Sequence, residues 1–261
     1  MVYGFIGCGN MGGAIARALR KNTDRILVTD RSGKAKALAR ELGVTYADNQ
    51  TAAETCSAIF LGVKPHMMRD MLLPLQPILA RRRPTLITMA AGLTMAQIRS
   101  FAGCDLPVIR IMPNTPTAVG RGLIPYCRND LVDPAFLEQW LADMSACGVL
   151  DPLEENLMDA ASALSGCGPA YMYLFLEALA DGAVACGLPR AKAVTYAAAT
   201  MAGAAEMVMS TGQHPGALKD AVCSPGGSTI QGVRVLEEHG LRAAAIDCVI
   251  AAFEKSKALG K

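Results

Sequence analysis

Val2-Tyr3-Gly4-Phe5-Ile6-Gly7-Cys8-Gly9-Asn10-Met11-Gly12 decides the fold. Val2 to Ile6 is a short apolar run that reads as a strand, and Ile15 and Leu19 continue beyond the glycines at helical spacing. Between them stands G-x-G-x-x-G, after a strand and opening a helix, which is the setting a dinucleotide-binding turn requires. Gly7 makes the tight turn, Gly9 lets the backbone approach a pyrophosphate, and Gly12 lets helix and strand pack closely. A second strand, Arg25 to Thr29, ends at Asp30, where the fingerprint places a carboxylate for the ribose 2′-hydroxyl of NAD. The neighbouring Arg31 and Ser32 suit the 2′-phosphate of NADP instead. The residues leave that choice open.

The alternation of strand and helix continues. Helices are expected over 34–42 and 49–54, and strands at 45–46, 58–63, 85–89 and 108–112. A strand at 122–126, a helix over 134–146 and a strand at 148–150 follow. In open α/β sheets ligands sit beyond the carboxyl ends of the strands. Three such ends carry Val63-Lys64-Pro65, Ala90-Ala91-Gly92 and Pro113-Asn114. Lys64 suits a hydrogen bond to ribose or phosphate, and the small Ala90 and Ala91 leave room for a flat ring. His66, alone in a loop, is read as incidental. A dinucleotide-binding domain is expected over 1–151.

From Glu154 the strand signals vanish, and helical patterns run about 154–164, 168–187, 190–210, 214–222, 228–238 and 240–258. Ala193 to Met209 is small or apolar around nearly its whole circumference, and such a helix must be covered on every side. A second domain over 152–261, all helical and pairing with another copy of the chain, is the simplest solution. Within it, Ser224-Pro225-Gly226-Gly227 is a glycine-rich turn. Ser228 and Thr229, both N-cap types, follow and open a helix. Backbone N–H groups and the positive dipole end there suit a small anion.

Composition narrows the partners. The 261 residues are 52% hydrophobic and 18% charged with a net charge of +2, enough for real cores and without a polyanion preference. Arg81-Arg82-Arg83 lacks aromatic interleaving, so no nucleic acid is expected. The nine cysteines are odd in number and contain no Cys-x-x-Cys pair, which argues against a disulfide scaffold or a metal site and for a reducing cytoplasm. No apolar run reaches the roughly 18–20 residues of a membrane helix, and Met1 to Gly7 lacks the features of a signal peptide.

Several stretches together resemble the pyrroline-5-carboxylate reductase family. They are Gly4 to Gly12, Val63-Lys64-Pro65, Ala90-Ala91-Gly92, Met112 to Pro116, Leu164-Ser165-Gly166 with Gly168 to Tyr171, and His214-Pro215-Gly216 through Ser224 to Gly227. They keep their order and span both halves of the chain. The resemblance implies a Rossmann doubly wound α/β sheet followed by an all-helical dimerisation domain, with a substrate site completed at the dimer interface. It implies NADPH as cofactor, with NADH the alternative that Asp30 raises. Candidate cofactor-binding residues are Gly7, Gly9, Asn10, Met11, Gly12, Asp30, Arg31, Ser32, Asn49, Val63, Lys64, Pro65, Ala90, Ala91 and Asn114. Candidate substrate-binding residues are Ser224, Gly226, Gly227, Ser228 and Thr229; the candidate catalytic residue is Thr229, whose hydroxyl the resemblance places near the substrate's ring nitrogen for hydrogen bonding or proton relay. Cys167 departs from the family, which often has a serine there.

The small-molecule substrate implied is a five-membered cyclic imine bearing a carboxylate. A hydroxyacid dehydrogenase of the same layout needs a base early in its helical domain. Ser165 to Phe175 contains no Lys, His, Asp or Glu, which favours imine reduction. The other rival, a dinucleotide sensor without turnover, leaves the anion loop at 224–229 without a purpose.

Overall fold

A computed structural model describes residues 1–259. They form two compact units, one of residues 1–167 together with the chain from Ala252 on, the other Gly168–Ala251.

The first unit is built on one eight-stranded sheet. Its strands are β1 (Tyr3–Ile6), β2 (Ile26–Thr29), β3 (Thr45–Tyr46), β4 (Ala58–Leu61), β5 (Thr85–Thr88), β6 (Val108–Ile111), β7 (Gly122–Arg128) and β8 (Gly148–Pro152). The order is β3-β2-β1-β4-β5-β6-β7-β8. β3 through β6 run parallel; β7 is antiparallel to β6, and β8 pairs parallel with β7. Tyr3 lies level with both Ile26 and Ala58, and Ala58 with Thr85, so these strands finish together at one carboxyl edge.

β1, β2, β4, β5 and β6 are buried throughout because helices cover both faces of the sheet there. These helices are α1 (Asn10–Leu19), α2 (Lys34–Leu42), α3 (Asn49–Thr55), α4 (Met68–Leu72), α5 (Gln76–Arg82), α6 (Met95–Ala102), α7 (Pro134–Met144) and α8 (Met158–Ala161). Successive side chains of a strand point to opposite faces. Accordingly Phe5 joins a core with Ile15, Leu19, Val28, Phe60 and Trp140, and Ile6 joins the opposite one with Ile59, Leu61, Met68, Leu72 and Ile98. Phe5 and Phe60 stack at 4.5 Å. Each such side chain contributes about 1.5–3 kcal/mol on burial. Caps set the helix starts: Asp48 accepts from the Thr51 N–H, Thr94 and Gln97 form a capping box, and Asp133 accepts from the Phe136 N–H with Pro134 in the first turn. Pro65, Pro74 and Pro77 divide the stretch between β4 and β5 into α4, α5 and 3₁₀ turns, since proline cannot donate within a helix.

The first unit reaches beyond the boundary expected at residue 151. After β8, a 3₁₀ turn (Glu155–Leu157), α8 and a π-helical turn (Ser162–Gly166) stay with it, where the sequence pattern suggested one continuous helix. The cause is polar. Arg110 on β6 is 3% exposed, and its Nη2 donates to Asp159 Oδ1 at 2.9 Å, with Glu155 Oε1 at 3.6 Å from Nη1. Glu155 Oε1 also accepts from the Met95 N–H at 2.6 Å. A buried guanidinium requires anions, and among the described residues this segment brings them.

The second unit contains α9 (Gly168–Ala185), α10 (Arg190–Thr211), α11 (Pro215–Val222), α12 (Ser228–Glu238) and most of α13 (Leu241–Leu259). Its buried residues are few: Ala180 in α9 and Ala193 in α10. Tyr173, Leu174, Tyr196, Met207, Met209, Ile246 and Ile250 are exposed. Among the described residues no helix is long and apolar enough to cross a membrane.

Candidate functional site

In the first unit the β1–α1 turn is closed by backbone contacts that only glycine permits. Gly7 has φ +99°, and a Cβ there would lie 2.7 Å from the Gly62 carbonyl carbon. A Cβ on Gly12 would lie 2.3 Å from the Gly7 carbonyl oxygen. The Gly7 N–H donates to Thr29 O at 2.9 Å and the Gly62 N–H to Ile6 O at 2.8 Å, tying β1, β2 and β4 together at their carboxyl ends. Gly9 differs, because a Cβ there would meet nothing within 4 Å. It is the N-cap of α1, and no side chain caps it. The N–H groups of Asn10 and Met11 therefore face outward at a positive helix end, an arrangement that fits a pyrophosphate.

A cavity of about 290 Å³ runs from Gly7, Cys8 and Gly9 to Asp30, Arg31, Ser32 and Lys34, with Asn49, Val63 and Lys64 on its wall. A shallower hollow of about 640 Å³ adjoins it beside Arg31, Tyr46, Asn49 and Leu75. Arg31, Lys34 and Lys64 are exposed and have no ion-pair partner among the described residues. Lys34 and the cavity residues Met67, Asp70 and Met71 escaped the sequence reading. Lys34 was legible as a second cation at the start of α2, whereas the others lie in a stretch broken by prolines. Asn49 is fixed by Thr29, whose hydroxyl donates to Asn49 Oδ1 at 2.9 Å. The Cys8 thiol is buried and lies near the Asp30 carboxylate, which together push its pKa up to about 12. It stays a protonated packing group.

Pro65, Ala90, Ala91 and Asn114 follow β4, β5 and β6 along the same carboxyl edge, outside that cavity. The Asn114 amide is committed on both sides: Oδ1 accepts from the Leu123 N–H at 3.0 Å, and Nδ2 donates to Ser165 O at 3.1 Å. Asn114 thus acts as a strut that holds the strand end, with one N–H of Nδ2 and one lone pair of Oδ1 not used by these two bonds. The sequence could not reveal this, because both partners are remote.

In the second unit the loop before α12 is Cys223 to Gly227. The Gly227 N–H donates to Ser224 O at 3.1 Å, and Gly226 has φ +70°. A Cβ on Gly227 would lie 2.4 Å from Ser224 Oγ. The N-cap is Gly227, one residue earlier than the hydroxyl residues suggested. Ser228 and Thr229 occupy the first helical turn instead, exposed, with no hydrogen bond from either hydroxyl among the described residues. Both are available to a ligand at an uncapped N-terminus. His214 accepts from the Gly216 N–H and serves α11 as a cap. Lys219 pairs with Asp220 at 2.6 Å on the surface.

Among the described residues no group of His, Cys, Asp or Glu side chains could hold a metal ion. All nine cysteines are free.

Residues 155–259 match the family model described as pyrroline-5-carboxylate reductase dimerisation, and residues 2–92 match one described as NADP oxidoreductase, coenzyme F420-dependent. The chain is 40% identical over 264 aligned residues to the pyrroline-5-carboxylate reductase of Escherichia coli, covering 99% of this chain and 98% of that protein. It is 41% identical to that of Synechocystis, with 99% and 98% covered. The crystal structure of Plasmodium falciparum pyrroline carboxylate reductase with NADP bound superposes with a TM-score of 0.89 at 32% identity, covering 100% of this chain and 98% of that one.

Proposed function

The chain belongs to the pyrroline-5-carboxylate reductase family, and on that premise we propose how its residues hold and reduce the substrate. It is an NADP(H)-dependent oxidoreductase that converts 1-pyrroline-5-carboxylate to L-proline, the last step of proline biosynthesis. The C=N carbon accepts a hydride and the ring nitrogen a proton, so a double bond becomes a secondary amine. The bound dinucleotide supplies the hydride, and the protein supplies orientation and charge.

Gly9, Asn10 and Met11 present N–H groups to the pyrophosphate, Gly7 and Gly12 make that approach possible, and Arg31, Ser32 and Lys34 receive the phosphate on the ribose. Asn49, Val63, Lys64, Pro65, Ala90 and Ala91 flank the remainder along the carboxyl edge. In the second unit Gly226, Gly227 and Ser228 hold the substrate carboxylate, with Ser224 buttressing the turn. The Thr229 hydroxyl hydrogen-bonds the ring nitrogen and relays a proton from water; a threonine is too weak an acid to be the ultimate source at neutral pH. The observation that carries this reading is the uncapped start of α12, where two hydroxyls and the first-turn N–H groups lack partners among the described residues.

The exposed apolar faces of α9 and α10 are covered by a second copy, so the working form is a homodimer or a larger homo-oligomer. Nine free cysteines support a reducing cytoplasm as its location. The reaction is tested by loss of nicotinamide absorbance with pyrroline-5-carboxylate and NADPH. Thr229→Ala should lower kcat severalfold to about a hundredfold with an intact fold. Unchanged rates would remove Thr229 from the mechanism, and no turnover by folded, dinucleotide-binding protein would overturn the assignment.

A further inference from the structure

The carboxylate at the end of β2 is turned into its own loop. Asp30 Oδ1 accepts from the Ser32 N–H at 3.1 Å. Oδ2 accepts from the Ser32 hydroxyl at 3.1 Å and from the Ala35 N–H at 2.9 Å. Ala35 is in the first turn of α2, whose N-cap, Gly33, has φ +77° and no side chain to offer. Asp30 therefore caps the helix from outside it. Three of the roughly four lone-pair positions of a carboxylate are filled, so no bidentate grip on ribose hydroxyls is left.

The same three bonds shape the Arg31-to-Lys34 turn. Arg31, Ser32 and Lys34 line the cavity that also holds Gly7 and Gly9. Lys64 and Asp70 line it too. Asp30's negative charge is balanced by the N–H donors and dipole end of α2, whereas Arg31 and Lys34 form no ion pair among the described residues, although Asp70 lines the same cavity. A loop of this kind attracts a dianionic phosphate.

We propose that Asp30 is a positioning residue for the 2′-phosphate of NADP(H), acting through the Arg31-to-Lys34 turn, and not an acceptor for the ribose 2′-hydroxyl of NAD(H). The inference rests on the dinucleotide-binding reading of the first unit and deepens it. An acidic residue here ordinarily signals NAD; in this chain it builds the site for the other cofactor.

The two roles predict opposite signs. Binding of 2′,5′-ADP, which carries a 2′-phosphate, and of its isomer 5′-ADP, which keeps the ribose 2′-hydroxyl, is measured by calorimetry on the wild-type protein and on Asp30→Ala. If Asp30 positions the turn, the alanine variant loses tenfold or more in affinity for 2′,5′-ADP and less than threefold for 5′-ADP. Asp30→Asn, which keeps one oxygen for the Ala35 or Ser32 N–H, falls between. If Asp30 instead receives the ribose hydroxyl, removing its charge weakens 5′-ADP and leaves 2′,5′-ADP unchanged or tighter, which overturns the proposal. Arg31→Ala should lose 2′,5′-ADP selectively as well. These readouts require no imine, so they stand apart from the reductase assay. Should Asp30→Ala not fold, the Asp30→Asn variant decides alone: loss of selectivity for the phosphate supports the proposal, and unchanged selectivity overturns it.

Discussion

Replacing Arg110 by methionine tests the polar latch that keeps residues 155–166 with the sheet. The substitution preserves length and removes the charge. Arg110 is 3% exposed, while the Asp159 and Glu155 side chains are 27% and 29% exposed. Breaking a fully buried ion pair costs about 3–5 kcal/mol, chiefly because the surviving charge is stranded. Here both survivors reach water in part, and Glu155 keeps its bond from the Met95 N–H. The wild-type site also carries a cost, since Arg110 Nε is buried without an acceptor among the described residues. The expected loss is therefore about 2–3 kcal/mol, or a fall in Tm of roughly 5–10 °C for a unit of this size. Trp140, the only tryptophan, is fully buried in the same unit against Tyr126. Its fluorescence during urea unfolding at fixed protein concentration reports the unit that holds the latch. Adding Glu155→Gln and Asp159→Asn to Arg110→Met should recover about half of the loss, because no charge is then stranded. A loss below about 0.5 kcal/mol for Arg110→Met, or no recovery in the triple variant, would refute the electrostatic account.

Other outcomes follow from particular contacts. Gly12→Ala places a methyl 2.3 Å from the Gly7 carbonyl oxygen; dinucleotide binding measured by calorimetry should fall by more than tenfold, and undiminished binding would show that the turn relaxes. Burial raises the thiol pKa values of Cys8 and Cys147 from 9.0 to about 12 and that of Cys127 to about 11. In the unfolded chain these thiols ionise near pH 9, so their contribution is full below pH 9 and is lost as the pH rises towards 11 to 12, by about 1.4 kcal/mol per thiol per pH unit. Urea midpoints should drop steeply from pH 9 to 11, less so in Cys147→Ala measured against its own pH 8 value. Leu174, 70% exposed on α9, should lie under the second copy; Leu174→Arg should weaken self-association at least about a hundredfold by analytical ultracentrifugation, and unchanged sedimentation would put Leu174 outside the interface.

Residues whose meaning is local were legible in the sequence. The glycines at 7, 9 and 12 act within one strand–turn–helix unit, and their spacing identifies the turn before any coordinates are known. The apolar runs of β1, β2, β4, β5 and β6 are buried on both faces, so each strand shows at once in the sequence. The small, apolar circumference of α10 announced that one chain does not cover it.

Tertiary structure decided what depends on distant partners. Asp30 reads as a ribose ligand by position, yet near neighbours, Ser32 in the loop and Ala35 in the first turn of α2, donate to its oxygens, which only the backbone path brings about; the other cases involve residues far along the chain. Asn114 reads as a cleft residue, yet its amide bridges Leu123 and Ser165. Arg110 sits in an apolar strand without any local sign that Glu155 and Asp159 will neutralise it, and that pairing carries the first unit past the end of its last strand. Sequence spacing reports backbone conformation and periodic burial because both arise among near neighbours. A polar side chain's role depends on which atoms satisfy its hydrogen bonds, and folding alone brings those atoms within reach.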